Sequence, residues 1–206
     1  MNHNINILVL VSGGGTNLQA LIDAQKEQRL LNGRIAAVVS DRRNVFALER
    51  ARAAGIPARV EEPDSLSGGK RQAELSDRIL CAAQEYNTDL VVLAGFLSIL
   101  AGEIISVYEG RIINLHPALL PRYGGRGMYG DRVHAAVLAA GESESGCTVH
   151  LVDAGTDTGP ILLQRRVPVL GNDTIETLSA RIHHEEHIAI VEAAVMMIQK
   201  LSGDFK

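Results

Sequence analysis

Tryptophan is absent, and the chain has only three phenylalanines and four tyrosines in 206 residues. Proteins that hold single-stranded nucleic acid stack bases on aromatic side chains, and this chain offers no obvious platform of that kind. Positive charge is also short: 20 Lys and Arg against 24 Asp and Glu leave a formal net charge of −4. That balance argues against a polyanion or nucleic-acid partner, while a small anionic ligand in a locally positive pocket stays open. Cysteine is scarce too. Cys81 and Cys147 lie far apart and form no paired motif, so they build neither a disulfide framework nor a cysteine zinc site. Two buried thiols in a cytoplasmic protein are expected. The apolar run near the start is too short to cross a membrane, and no basic region precedes it, so no membrane partner is expected. Repeats, low-complexity tracts and linkers are missing as well, which predicts one domain over 1–206.

What is present is a composition 46% hydrophobic and 21% charged, enough for a real core. Strands are expected at Ile5–Val11, Ile35–Val39, Ala58–Val60, Leu90–Ala94 and Ile112–Leu115. Helices are expected between them at Thr16–Gln28, Val45–Ala54, Arg71–Glu85 and Ala101–Tyr108. Alternating strands and helices predict a Rossmann-like α/β fold, a mostly parallel sheet with helices on both faces. The strands are apolar without alternation, as strands covered on both sides are. After Pro121 comes a glycine-rich loop at Tyr123–Gly130 and a short helix at Val133–Ala140. Cys147–Val152 and Ile161–Val169 then predict an antiparallel extension of the sheet. A long helix from Thr174 to Lys200 closes the chain, with Asp173 and Glu176 reading as its capping box.

Four places could carry chemistry. In VSGGGTNLQ, three glycines end a strand and Thr16 and Asn17 open a helix. Free N–H groups, the helix dipole and the lack of side chains suit a phosphate. The stretch lacks the Gly-Lys-Ser/Thr of a Walker loop, and Leu18 replaces the third glycine of the dinucleotide fingerprint, so one terminal phosphate fits best, with a plain glycine-rich turn joining strand to helix as the alternative. In RIINLHPALLP, Asn114 and His116 point to the same face at the carboxyl end of a parallel strand, where α/β proteins bind ligands. An imidazole can move a proton and an amide can donate to an oxyanion; a structural Asn–His pair is the alternative. In VDAGTDTGP, Asp153 and Asp157 could orient an imidazole or simply bond their own turn. In IHHEEH, His183, Glu186 and His187 match a zinc-protease pattern. Periodicity instead sets Glu186 in an inward apolar stripe of Ile175, Leu178, Ile182, Ala189, Ala193 and Met196, with both histidines to one side. A carboxylate in such a stripe needs a pocket or a cation.

Taken in order, VSGGGTNLQALIDA, LVVLAGFLSIL, INLHPALLPRYGG and GCTVHLVDAGTDTGPILLQ resemble the phosphoribosylglycinamide formyltransferases, folate-dependent enzymes of purine synthesis. The likeness runs from Ile5 to about Val195. It implies formyl transfer from 10-formyltetrahydrofolate, as co-substrate, to glycinamide ribonucleotide, by direct attack and without a metal. It implies catalytic roles for Asn114, His116 and Asp157. Asn114 would hold the formyl oxygen, His116 would donate to the oxyanion, and Asp157 would pair with His116 and help remove the amine proton, through water. It implies that Gly14, Gly15, Thr16, Asn17 and Glu186 hold the ribonucleotide. Arg71, Leu97, Ser98, Ile99, Leu100, Asn114, Val152 and Asp153 would meet the folate, and His134 would line the site. Three positions depart from the pattern or leave it open. Ser98 stands where many relatives are basic, Ala118 stands where they have Ser, and Arg71 rather than Lys70 is taken as the folate-gripping cation. Related readings are a methionyl-tRNA formyltransferase, for which a tRNA domain and positive charge are wanting, and a 10-formyltetrahydrofolate hydrolase. A catalytically silent phosphate-binding module and a zinc hydrolase are the readings from other classes. A monomer or homodimer is expected.

Overall fold

The computed structural model describes residues 4–64 and 68–203. At its centre lies β1 (Ile5–Val11), buried along its whole length. Its sequence INILVLV has no polar face because helices cover both sides of the sheet. Ile7, Val9 and Val11 join one core, and Leu8 and Leu10 join a second on the opposite face. The first core is filled by α1 (Thr16–Lys26), α2 (Phe46–Ala53), α5 (Asp131–Ala139) and α6 (Ile175–Ser202). The second is filled by α3 (Gly68–Glu85) and α4 (Glu103–Val107).

The seven strands run in the order β3-β2-β1-β4-β5-β6-β7. Of these, β2 (Gly33–Ser40), β3 (Ala58–Val60), β4 (Leu90–Leu93) and β5 (Ile112–His116) are parallel to β1, directly or through a neighbour. The last two, β6 (Glu144–Leu151) and β7 (Ile161–Pro168), are antiparallel additions. The chain leaves β1 toward β2 and β3, then returns to the other side of β1 at β4. That reversal opens a crevice at the carboxyl ends of β1 and β4.

Each expected element is present; Ile5–Val11 and Ala58–Val60 keep their bounds, and the ends of the others shift. β5 runs on through His116, β6 starts earlier at Glu144, α5 starts earlier at Asp131, and α4 is shorter than expected. The cap of α6 differs in kind. Thr174 is the N-cap, and its side chain and that of Thr177 bond each other's backbone N–H. Asp173 instead accepts from Arg181 and from the Leu170 N–H, a partner outside the helix. The inward stripe of α6 holds at Leu178, Ile182, Glu186, Ala189 and Ala193 but continues at Met197, one four-residue step on; Met196 and Ile175 are only half-buried. Cys147 is buried in β6 as expected, but Cys81 is exposed, on the outward side of α3. Among the described residues no helix is long and apolar enough to cross a membrane.

Candidate active site

A cavity of about 550 Å³ occupies the crevice. Its floor is the glycine loop after β1, the 93–100 segment after β4, and Asn114–Pro117 at the end of β5. Its walls are the loop 125–130, His134 of α5, His150 of β6, the loop after β6, and His183 and Glu186 of α6.

The glycine loop is shaped by two different demands. Gly15 caps α1 with φ 72°, a left-handed conformation that a side chain resists. A Cβ there would also lie 2.6 Å from the Cβ of Ala47. Gly13 and Gly14 carry no such constraint: apart from the adjoining residues, no described protein atom lies within 4 Å of a Cβ at either position. Their bareness leaves room at the cavity edge. Just inside α1, Asn17 Nδ2 donates to Glu186 Oε2 over 3.2 Å, which ties the first helix to the last. Glu186 is 4% exposed. Burial raises its pKa, with the His183 charge and the Asn17 hydrogen bond working the other way.

At the other side of the cavity one carboxylate gathers four partners. Asp157 Oδ2 accepts from the Gly125 N–H at 2.9 Å and lies 3.5 Å from His116 Nδ1. Asp157 Oδ1 accepts from Asn114 Nδ2 at 3.4 Å and lies 3.5 Å from His150 Nε2. The strands explain the convergence. Asn114 and His116 share a face of β5 because side chains alternate, and the antiparallel register sets His150 opposite Asn114. Asp157 itself is held at φ 59°, in the left-handed region that Asp tolerates better than most residues.

The tautomers follow from the carbonyls, which can only accept. His116 Nε2 lies 2.8 Å from the Tyr123 carbonyl and so carries the proton. Its bare Nδ1 then faces Asp157. His150 Nδ1 donates to the Leu151 carbonyl at 2.8 Å, leaving Nε2 to accept from Asn114 Nδ2 at 3.1 Å. Burial lowers the pKa of His116, against the opposing pull of Asp157 and the Tyr123 carbonyl. Burial also works to raise Asp157, but its polar neighbours, His150 first, then His116 and the Gly125 N–H, outweigh it and leave it below the usual range. The arrangement is a neutral imidazole beside an ionised carboxylate, with room for a proton between them.

The 97–100 segment lines the remaining wall, and its position is fixed by two serines. Leu97 N–H donates to Ser12 Oγ at 2.8 Å, and Ser98 Oγ donates to the buried Asp41 Oδ2 at 2.6 Å. Where a basic side chain was expected from the family pattern, this chain thus spends a hydroxyl on an internal carboxylate. Ala118 is likewise accounted for: it is fully buried, and its carbonyl is held by Thr148 Oγ1 at 2.6 Å.

Most of the expected site residues line this one cavity: Gly14, Gly15, Thr16, Asn17 and Glu186, Asn114, His116 and Asp157, and Leu97, Ser98, Ile99, Leu100 and Val152. Two do not line it. Asp153 bonds its own turn, accepting from Gly155 N–H and Thr158 Oγ1 at 2.9 and 2.7 Å. Arg71 lies on α3 and donates to the Pro63 carbonyl at 3.4 Å. The zinc pattern does not converge, since His183 faces the cavity while His187 lines a separate groove between α1 and α6. His150 was missed by sequence reasoning. The available signal was a histidine among β-branched residues, two positions from Thr148 on the same strand face. Arg126, the one Arg or Lys lining the cavity among the described residues, was missed as well.

The chain is similar to known proteins in sequence and in structure. A formyl transferase family model matches residues 5–194. The trifunctional purine biosynthetic protein adenosine-3 of Drosophila melanogaster is 41% identical over 93% of this chain, which spans only 14% of that protein. Phosphoribosylglycinamide formyltransferase of Escherichia coli is 40% identical over 89% of this chain and 82% of its own length. Among solved structures, glycinamide ribonucleotide transformylase 1 from Symbiobacterium toebii superposes with a TM-score of 0.88 at 40% identity, covering 97% of this chain and 90% of that one. A formyltetrahydrofolate deformylase from Pseudomonas syringae shares the fold, with a TM-score of 0.85 at 21% identity over 96% of this chain and 62% of that one.

Proposed function

This chain belongs to the formyl transferase family, and from that membership we propose that it transfers the formyl group of 10-formyltetrahydrofolate to the amino group of glycinamide ribonucleotide. The observation that carries the proposal is the position of Asp157. Its carboxylate joins Asn114, His116 and His150 in the one cavity that the bare glycine loop and residues 97–100 also line. The phosphate of the acceptor would sit at the loop and helix N-terminus, its ribose near Glu186, and the folate along residues 97–100 and Val152.

The chemistry then follows from the groups in place. The acceptor amine attacks the formyl carbon, and the carbonyl π pair becomes an oxyanion. Asn114 swings its longer bond, the 3.4 Å contact to Asp157, to that oxygen, and His116 supplies the second donor by turning its Nε2–H from the Tyr123 carbonyl to the oxyanion. The ammonium proton passes through water to Asp157, where the neighbouring imidazole of His116 shares it. Folate N10 takes that proton from the His116–Asp157 pair through water, the C–N10 bond breaks, and the carbonyl re-forms on the acceptor. Protons balance, and the enzyme forms no covalent adduct. The products are formylglycinamide ribonucleotide and tetrahydrofolate, in the cytoplasm.

The test is a spectrophotometric assay with 10-formyltetrahydrofolate, with and without glycinamide ribonucleotide. Folate product is expected only when the acceptor is present. Equal deformylation without it would overturn transfer in favour of hydrolysis.

A further inference from the structure

The glycine loop has a feature that a strand-to-helix turn does not require: its outward carbonyls are both taken by α2. Ala47 N–H donates to the Gly13 carbonyl at 3.1 Å. Arg50 Nε donates to the Gly14 carbonyl at 2.8 Å, and Arg50 Nη1 donates to Gln19 Oε1 on α1 at 3.0 Å. The guanidinium is further placed by the ring of Phe46, 4.7 Å from its centroid. In a trans peptide the C=O and the following N–H point in opposite directions within one plane. A Gly13 carbonyl drawn toward α2 therefore turns the Gly14 N–H away from α2. A Gly14 carbonyl drawn toward Arg50 does the same to the Gly15 N–H. Neither N–H has a backbone acceptor among the described residues, and both residues line the cavity. Arg50 does not line it.

We propose that Arg50 is a positioning residue for phosphate recognition: by holding the Gly14 carbonyl, and α1 through Gln19, it aims the loop N–H groups at the phosphate monoester of the acceptor. The inference rests on the proposed function for the identity of that ligand. Glycine gives the loop its space but also its freedom to rotate. A bidentate guanidinium anchored to two elements removes that freedom before the ligand arrives, so binding does not have to supply the ordering. A lysine could not hold both acceptors in one plane.

The test uses Arg50→Gln, read first by calorimetric titration with ribose 5-phosphate, which needs no catalysis. Dissociation constants are expected to rise about tenfold or more. In turnover, KM for glycinamide ribonucleotide is expected to rise by a similar factor, while kcat and KM for the folate stay within about twofold. The ratio of variant to wild type is expected to persist at high salt, because orientation of a peptide is not screened as a distant charge is. Wild-type affinity for ribose 5-phosphate in Arg50→Gln, or a ratio that collapses toward one at high salt, would overturn the positioning role. Should Arg50→Gln fail to fold, Gln19→Leu removes the guanidinium's second acceptor and is expected to show the same change in smaller measure; unchanged binding there overturns it. A wild-type protein that binds ribose 5-phosphate but transfers no formyl group would sink the proposed function and leave this inference standing.

Discussion

His116 and Asp157 face each other at 3.5 Å, Nδ1 to Oδ2, with the imidazole proton on the far nitrogen, held by the Tyr123 carbonyl. The pair therefore has a place for one more proton, and the proposed mechanism fills it with the proton of the attacking amine. Asp157→Asn keeps the shape and tolerates the left-handed backbone but cannot accept that proton. It is expected to lower kcat by about 10²–10⁴-fold, as is His116→Ala. The double variant is expected to lose little more than either alone, since the two act as a unit. Steady-state kinetics with circular dichroism to verify folding decide the matter. Near-wild-type turnover in either single variant would falsify the assignment.

Much of this was legible in the sequence, for identifiable reasons. Each expected strand and helix exists because apolar runs covered on both faces and amphipathic helices leave distinct periods. Asn114 and His116 share a face because strand alternation is fixed by covalent geometry. His150 and Asp157 illustrate the limit. Their meeting with Asn114 depends on the register of an antiparallel pair and on a loop folding back over the sheet, and neither is encoded by local spacing. The cap of α6 shows a different limit. Asp173 and Glu176 have suitable chemistry, but Arg181 two turns along claims Asp173, and the neighbouring threonines take the cap. Ser98 and Arg50 depend on partners 57 and 36 residues away, Asp41 and Gly14, that no sequence window contains together.

Acid is expected to weaken the fold from about neutral pH downward. Burial lowers the pKa of His116, His134 and His187. A group depressed in the folded state contributes stability that is present above its unfolded pKa, about 6.5 for His, and lost as pH falls through the folded value. His134 is 1% exposed and its Nδ1 has no hydrogen-bond partner, so its protonation is poorly accommodated. Melting temperatures should therefore fall as pH drops below about 6.5, and His134→Leu should flatten that fall. A variant with the same slope as wild type would show that His134 contributes nothing to it.

The glycines at 14 and 15 should separate fold from function. Gly15→Ala forces a side chain into φ 72° and into Ala47, and is expected to cost about 1–3 kcal/mol, or roughly 2–12 °C in melting temperature. Gly14→Ala meets, apart from the adjoining residues, no described protein atom within 4 Å. Its melting temperature is expected to stay within about 2 °C, while KM for the phosphorylated acceptor rises at least about tenfold because the new methyl occupies the approach to the loop. Equal melting temperatures for the two variants, or an unchanged KM in Gly14→Ala, would contradict this division.

Glu186 is the clearest case of stability given up at a site. Its carboxylate is 4% exposed, set in an apolar stripe, and receives one hydrogen bond from Asn17. Burial raises its pKa, so the folded state prefers the protonated form. The cost is absent while the group is protonated and appears as pH rises through the folded pKa and the carboxylate ionises. Glu186→Gln keeps the shape and an acceptor for Asn17 but removes the charge. It is expected to raise the melting temperature at about pH 8 by roughly 2–4 °C, for a gain of about 1 kcal/mol, and to leave it unchanged near about pH 4, where Glu186 is already neutral. The same variant is expected to raise KM for glycinamide ribonucleotide if the proposed ribose contact holds, because a carboxylate accepts hydroxyl hydrogen bonds more strongly than an amide does. A Gln variant less stable than wild type at about pH 8 would mean that the ionised carboxylate is compensated in the folded protein, and Glu186 would then be a structural residue.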